Sequence, residues 1–185
     1  MSVPGPGRPD RGGGATTSGV PAEQVLDALR SRGWSLAVAE SLTGGLLSAR
    51  VVDVPGASTV HRGAVVAYAT DLKATLLDVP TDLLAERGPV DADVACAMAL
   101  GVRLRLGADV GVATTGVAGP EPQGGRPAGT VHVAVVTPTA RRVRSLHLTG
   151  DRARIRSATV DEALGLLFDA LAPSDRSEAA EPSEG

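Results

Sequence analysis

The chain has 185 residues, a formal net charge of -3 and one cysteine, Cys96. This length accommodates one domain with a substantial core and is too short for two comfortable ones. The near-neutral charge argues against a general nucleic-acid groove, and no stretch reaches the roughly 18 uncharged apolar residues of a membrane span. A lone cysteine cannot form an internal disulfide, which agrees with the cytoplasm as the expected location.

The two ends differ in composition from the middle. Residues 1–20 are crowded with Gly and Pro, and residues 173–185 carry four acidic residues, one Arg and no large apolar side chain. Such segments cannot bury enough surface to offset the entropy lost on ordering. We therefore predict a disordered N-terminal tail over 1–20, one folded domain over 21–172 and a disordered acidic tail over 173–185.

The first half of the chain predicts short helices alternating with two strands. Pro21 suits a first helical turn and Gly33 a C-terminal cap, with apolar residues at helical spacing between them. The elements predicted next are a buried strand over 34–39, a helix over 44–52, a strand over 63–68, a helix over 70–77 and a turn near 82–86.

The second half contains the clearest helix and a hairpin. Between Asp91 and Leu106 apolar residues recur every four positions, and Asp91 or Asp93 can cap the start. A strand over 109–115, a Gly-rich loop over 116–129, a hairpin of strands over 130–137 and 141–148, and a helix over 151–171 follow. This alternation predicts a three-layer α/β/α sandwich whose sheet is mixed and mostly parallel.

Ser41 stands where the first strand is expected to end and a helix to begin. In open α/β sheets ligands bind at the carboxyl ends of strands, and free N–H groups at a helix start attract anions. Ser41 is therefore a candidate nucleophile, with nearby N–H groups holding the oxyanion and Thr43, Gly44 and Gly45 beside the substrate. Alternatively, Ser41 or Thr43 only caps the following helix.

Lys73 is the only lysine among the 18 Lys and Arg residues, and it lies five residues after the only tyrosine, Tyr68. Lys can lose its proton at reachable pH and Arg cannot, so Lys73 is the candidate base for Ser41, as in Ser-Lys enzymes. Tyr68 could relay the proton or orient the amine. The alternatives are an ordinary surface lysine and a tyrosine ring packed at the sheet edge.

The histidines offer neither a base nor a metal site. His61, His132 and His147 occur singly, and none has a setting comparable to that of Lys73. With Cys96 as the only cysteine, no metal-ligand cluster of tight spacing is present in the sequence. We expect neither a metal nor another cofactor.

The Gly-rich loop, entered through Thr115 and Gly116 and containing Gly119, also follows a strand and is expected at the same rim as Ser41. Its glycines could wrap a nucleotide, although it matches neither the dinucleotide-binding nor the triphosphate-binding motif. Arg152 opens the last helix. It could bind a phosphate, or it could belong to a solvated Arg-rich face.

Four segments, taken together and in order, resemble the CinA C-terminal domain family over about residues 22–171. They are AESLTGG, Tyr68 with Lys73, TGVAGP followed by a Gly-rich stretch and PAGTV, and TGDR. The resemblance implies a three-layer mixed-sheet fold, homodimers, and metal-free hydrolysis of nicotinamide mononucleotide to nicotinate mononucleotide and ammonia in pyridine-nucleotide recycling. It also implies that Ser41 is the nucleophile, assisted by Tyr68 and Lys73.

Two positions depart from the family pattern. Thr70 stands where the family commonly has Asn, and Asp91 stands where it often has Ser. If those residues contact substrate in active members, turnover here is weakened or the preferred amide is changed. A second hypothesis is therefore a non-catalytic nucleotide-binding or partner-binding domain, and a third is hydrolysis of another pyridine amide.

Overall fold

The computed structural model of the protein describes residues 19–172, so all but the last two residues of the tail predicted over 1–20, and the whole tail predicted over 173–185, lie outside the described residues. The strands are β1 (Leu36–Glu40), β2 (His61–Val66), β3 (Val110–Gly116), β4 (Thr130–Val136) and β5 (Arg141–His147). The helices are α1 (Ala22–Arg32), α2 (Leu46–Val52), α3 (Thr70–Leu77), α4 (Thr81–Arg87), α5 (Ala92–Arg105) and α6 (Arg152–Leu171). A short 3-10 helix spans Ala57–Thr59.

The five strands form one mixed sheet in the order β2-β1-β3-β4-β5. β1 pairs in parallel with both β2 and β3, whereas β4 is antiparallel to β3 and to β5. Four strands therefore run in the same direction and only β4 runs against them. This arrangement confirms the predicted mixed, mostly parallel sheet.

The sheet separates two cores, which confirms the three-layer architecture. On one face Leu36 and Val38 of β1 pack in a core with α1, α2 and α6. On the other face Ala37 and Ala39 pack in a second core with α3 and α5. The alternation follows from the pleat, because successive side chains of a strand point to opposite faces.

The α5 face of the sheet is built mainly from small residues, among them Ala37, Ala39, Ala113 and Ala134. Gly111 of β3 is required there, because a Cβ at this position would lie 2.0 Å from the carbonyl oxygen of Ala99. The side facing α1 and α6 instead fills its space with Val and Leu side chains. Small residues on this face allow α5 to lie close to the sheet. The position of α3 follows from that of α5, because α3 packs against α5.

Most predicted elements are observed, with small shifts at their ends. The helix expected over 44–52 begins only at Leu46, since Gly44 and Gly45 have φ values of 59° and 98°. The turn predicted near 82–86 is wrong, because Thr81–Arg87 forms the helix α4. This helix has no fully buried residue and packs only through partly buried Leu83 and Leu84, so it lacks a strong apolar periodicity.

The carboxyl ends of three neighbouring strands meet at one edge of the sheet. Glu40, the last residue of β1, pairs with Val66 of β2 on one side and with Thr114 of β3 on the other. The segments that follow these strands therefore emerge side by side. Such an edge is where ligands bind in open α/β sheets.

Candidate active site

Ser41 and Lys73 form a buried pair at this edge. The Lys73 Nζ lies 3.1 Å from the Ser41 Oγ and donates a second hydrogen bond, of 2.9 Å, to the carbonyl oxygen of Ala67. Lys73 is 1% exposed and Ser41 is 8% exposed. The structure thus brings together the hydroxyl and the amine, which the sequence separates by 32 positions.

The setting of Lys73 raises the fraction of its amine that is neutral. Burial lowers the pKa of the amine from 10.5 to about 8, and the carboxylate of Asp71 opposes part of this shift. At pH 7 about a tenth of the molecules then carry a neutral amine, compared with about one in three thousand at the ordinary pKa. A neutral Lys73 amine can accept the Ser41 proton.

Backbone hydrogen bonds fix both partners. The N–H of Ser41 donates to the carbonyl oxygen of Thr114 at 3.0 Å, which extends the β1–β3 ladder by one residue. The N–H of Ala67 donates to the carbonyl oxygen of Glu40 at 2.9 Å. The Ala67 peptide therefore joins the end of β1 to Lys73, since its own carbonyl oxygen accepts from Nζ.

Tyr68 and Arg152 form a second, exposed pair at the rim of the same cleft. One Arg152 Nη donates to the Tyr68 hydroxyl at 2.9 Å, and the other donates to the carbonyl oxygen of Gly119 at 3.0 Å. Tyr68 is 58% exposed. Its hydroxyl makes no hydrogen bond to Lys73 or Ser41 in the described structure. The structure therefore shows no direct contact through which Tyr68 could relay a proton.

The cleft between the two pairs encloses about 90 Å³. It is lined by Thr70 of α3, by Thr115 and Gly116 at the end of β3, and by residues of the Gly-rich loop through Gly119. Ligand pockets typically measure roughly 300–1,000 Å³. This cleft can therefore enclose a small reacting group, while the rest of a larger substrate lies over the open rim.

The three residues expected beside the substrate after Ser41 do not line this cleft. Thr43 is fully buried, and its hydroxyl is 2.7 Å from that of Thr114. Gly44 and Gly45 form the left-handed turn that leads into α2. In this structure all three shape the Ser41 turn from behind and do not face the cleft.

Glu40 is an important residue that the sequence analysis did not single out. It is fully buried, and its carboxylate accepts from the N–H groups of Gly45, Leu47 and Ser48 at 2.9–3.1 Å. Glu40 therefore already occupies these three donors at the start of α2, so they are not free to hold an oxyanion. The signal was present in the sequence as a carboxylate just before a helix start, where negative charge is favourable.

The two positions that depart from the family pattern have different surroundings. Thr70 lines the cleft at the start of α3. Asp91 caps α5 by accepting from the N–H of Asp93 at 2.8 Å, and its other oxygen lies 3.8 Å from the Arg126 guanidinium of the Gly-rich loop. Thr70 can contact a ligand directly, whereas Asp91 is occupied by capping and by the loop.

The histidines lie outside this cleft. His61 is 3.1 Å from the Ser48 hydroxyl, and His132 is 2.9 Å from the Ser145 hydroxyl. Burial lowers the pKa of both rings.

Within residues 19–172, no group of three or more His, Cys, Asp or Glu side chains is arranged to hold a metal ion. None of the helices in that range has the length and apolar run needed to cross a bilayer.

Comparison with known proteins identifies the family. The CinA C-terminal domain model matches residues 20–171. A CinA-like protein of Frankia casuarinae is 51% identical over 161 residues, which cover 87% of this chain and 37% of that protein. A CinA-like protein of Geobacter metallireducens is 47% identical over 146 residues, covering 77% and 35% respectively. The chain thus spans about a third of the length of these curated relatives.

Solved structures agree with this assignment. A CinA superfamily protein of Klebsiella pneumoniae superposes with a TM-score of 0.79 at 32% identity, covering 81% of this chain and 94% of that one. A second, from Enterobacter cloacae, gives a TM-score of 0.81 at 27% identity, with 90% and 100% covered. From its family-model match, its relatives and its fold, the chain belongs to the CinA C-terminal domain family.

Proposed function

We propose that the chain is an amidohydrolase that converts nicotinamide mononucleotide to nicotinate mononucleotide and ammonia. The observation that carries this proposal is the buried contact of 3.1 Å between the Ser41 Oγ and the Lys73 Nζ. A serine is a weak nucleophile until a base removes its proton. Burial prepares Lys73 for this task by lowering its pKa to about 8.

In the first half of the reaction, the neutral Lys73 amine takes the Ser41 proton while the Oγ attacks the carboxamide carbon. A C–O bond forms, and the carbonyl π electrons move to the oxygen. When this tetrahedral species collapses, the C–N bond breaks and Lys73 returns a proton to the departing nitrogen. Ammonia leaves, and Ser41 carries the nicotinoyl group as an ester.

In the second half, water replaces ammonia. The Lys73 amine takes a proton from water, and the hydroxide oxygen adds to the ester carbon. Collapse breaks the bond to the Ser41 Oγ, which takes the proton back from Lys73. The product is the carboxylic acid, and both side chains return to their starting protonation states.

The rim pair suits a nucleotide substrate. The cleft accepts the carboxamide end, and the Arg152 guanidinium lies at its mouth, 2.9 Å from the Tyr68 hydroxyl. Guanidinium groups bind phosphate through paired, charge-assisted hydrogen bonds. We assign Arg152 to the phosphate and Tyr68 to holding Arg152 in place, with Thr115, Gly116 and Gly119 forming the wall that faces the substrate.

The resemblance to the family also supports a homodimer located in the cytoplasm. Light scattering of the purified chain measures the first part of this proposal. A measured mass equal to that of one chain at micromolar concentration would contradict the proposed dimer.

A coupled ammonia assay with nicotinamide mononucleotide in excess chelator tests the activity. Wild-type protein is expected to release ammonia, and Ser41→Ala is expected to release none. Ser31→Ala is the matched control, because Ser31 is exposed on α1, where its hydroxyl donates to the carbonyl oxygen of Ala28 and accepts from the neighbouring Arg32. Activity in Ser41→Ala equal to that of the control would exclude Ser41 as the nucleophile.

A second candidate, binding without turnover, is favoured by the position of Thr70 on the cleft wall, where the family commonly has Asn. Calorimetry with the mononucleotide separates the two candidates. Saturable binding with no ammonia released would establish the binding domain. If a substrate panel shows ammonia release only from other pyridine carboxamides, the chain is an amidohydrolase with a different substrate.

A further inference from the structure

The backbone turn that carries Ser41 is held by an arginine of α6, Arg156, which does not line the cleft. The Arg156 Nε donates to the carbonyl oxygen of Leu42 at 2.9 Å, and its Nη donates to that of Thr43 at 2.7 Å. The guanidinium also limits the space at Gly44, where a Cβ would lie 3.4 Å from it. Two consecutive carbonyl groups are thus fixed by one planar side chain.

The same turn contains a backbone N–H, that of Leu42, which has no acceptor within the described residues. The Ser41 carbonyl oxygen accepts from the N–H of Gly44 at 3.1 Å, inside the turn. The Ser41–Leu42 peptide is trans, and in a trans peptide the C=O and N–H point in opposite directions. The Leu42 N–H therefore points out of the turn. It donates to no acceptor within residues 19–172, and Leu42 lines the cleft.

An acyl-transfer site needs such a donor beside its nucleophile. Charge develops on the carbonyl oxygen as the Ser41 Oγ adds, and a fixed N–H that faces this oxygen stabilises the transition state. The N–H groups of α2 cannot serve, because the Glu40 carboxylate accepts from those of Gly45, Leu47 and Ser48. The Leu42 N–H has no acceptor in the part of the chain that the structure describes, and it follows the proposed nucleophile directly in the sequence.

We propose that Arg156 is a positioning residue that holds the 41–44 turn, so that the Ser41 hydroxyl stays at Lys73 and the Leu42 N–H stays in the cleft as the oxyanion donor. This inference rests on the proposed function. Arg156 contacts neither the hydroxyl nor the amine. Its effect passes through the Leu42 and Thr43 carbonyl groups, whose movement would displace both catalytic atoms together.

The experiment compares Arg156→Met, Arg156→Lys and the control Arg154→Met. Arg154 lies on the same helix and is exposed, and its side chain makes no hydrogen bond or ion pair within the described residues. Each variant is assayed for ammonia release and, separately, for reaction with a fluorophosphonate probe followed by intact mass. In the probe reaction an Oγ–P bond forms, the P–F bond breaks, fluoride leaves and Lys73 takes the Ser41 proton.

For Arg156→Met we expect kcat and the probe rate each to fall by about tenfold or more, since small misplacements of reacting groups carry losses of up to about a hundredfold. KM should stay within about twofold, because Arg156 does not line the cleft. Arg156→Lys should recover part of both rates, as an ammonium can still reach one carbonyl oxygen. Arg154→Met should match the wild type.

Equal probe rates in Arg156→Met and Arg154→Met would overturn the proposal, as would a loss that appears in KM alone. If Arg156→Met does not fold, Arg156→Lys against Arg154→Met decides by the same criteria. Wild-type protein that reacts with the probe but releases no ammonia contradicts the proposed function alone, and the variants still test Arg156. Wild-type protein inert in both assays removes both proposals.

Discussion

The two side-chain pairs of the candidate site differ in their access to water. Lys73 is 1% exposed and meets Ser41 inside the protein, whereas Tyr68 is 58% exposed and meets Arg152 at the rim. Electrostatic interactions are stronger where water is excluded, so the inner pair can carry pKa changes and bond making. The rim pair is screened by solvent, which suits reversible recognition of a charged substrate. Substitutions in the two pairs should therefore differ in size and in kind.

Replacement of Lys73 should have the largest effect. Lys73→Met removes the proposed base, and Lys73→Arg replaces it with a guanidinium that cannot deprotonate. We expect both variants to lose about a thousandfold or more in kcat, because general-base catalysis alone contributes about 10²–10⁴-fold. The measurement is ammonia release under saturating substrate. Turnover at the wild-type rate in Lys73→Arg would remove Lys73 as the base and end the distinction between the two pairs.

Of these two substitutions, Lys73→Met should also stabilise the fold. Lowering the pKa of Lys73 from 10.5 to about 8 corresponds to a cost of about 3 kcal/mol for holding the charged amine in the protein at pH 7. Lys73→Met removes this cost and loses two hydrogen bonds, so urea unfolding at pH 7 should show a net gain of about 1–2 kcal/mol. A loss of stability would show that the charged amine is well solvated in the cleft.

The pH dependence should be the next largest effect. In the proposed mechanism the neutral amine is the base, so kcat should rise about tenfold per pH unit below the Lys73 pKa and level off above about 8. Folded and unfolded amines are both charged below pH 8. Between about 8 and 10.5 the unfolded amine binds the extra proton, so the stability contributed by this group should increase with pH across that window.

The single lysine makes this prediction directly measurable. Protein labelled with ¹⁵N-lysine should give one side-chain signal, because Lys73 is the only lysine in the chain. Its titration midpoint should fall near the kinetic one, about pH 8. A midpoint near 10.5 would mean that the amine is in contact with water and that the inner pair resembles the rim.

The sequence predicted an element wherever burial produces either a helical repeat or a continuous apolar run. α5 follows from apolar residues every four positions, and β3, fully buried, follows from a continuous apolar run. α4 was missed because its partly buried Leu83 and Leu84 are adjacent and do not form a helical repeat. The onset of α2 was placed too early, since the positive φ angles of Gly44 and Gly45 are set by the turn and not by periodicity.

The inner pair of the site was predictable from the sequence, whereas the contacts made by the arginines of α6 were not. The single lysine and the serine at the end of a strand could be identified from the sequence. In the structure the Lys73 Nζ lies 3.1 Å from the Ser41 Oγ. The bond between Arg152 and Tyr68 joins positions 84 residues apart, and no local pattern encodes it. Arg156 could not be distinguished from its neighbours Arg152 and Arg154 on the same helix, because only the fold shows which of them reaches the Ser41 turn.

Arg152→Met should give a smaller effect than any change in the inner pair, and one of a different kind. Loss of a charge-assisted contact to phosphate corresponds to about 1.5–3 kcal/mol, or about 10–100-fold in KM for the mononucleotide. kcat should change little, and free nicotinamide, which lacks the phosphate, should be unaffected. Arg154→Met is the matched control. An equal loss with free nicotinamide would place Arg152 in the chemistry instead of at the phosphate.

Tyr68→Phe should have the smallest effect. Tyr68 is exposed and its hydroxyl accepts from Arg152, so water can replace it there with little loss. We expect a change of about two- to fivefold, mainly in KM. If the hydroxyl relayed a proton, Tyr68→Phe would instead lose about 10²–10⁴-fold in kcat.

Full kinetics of Tyr68→Phe, alone and with Arg152→Met, measure this difference. If the hydroxyl acts only by holding Arg152, it has no effect once Arg152 is gone, so the double variant should match Arg152→Met. A large loss in kcat for Tyr68→Phe would instead mean that the tyrosine reorients toward Lys73 when substrate binds, and the rim would then take part in proton transfer.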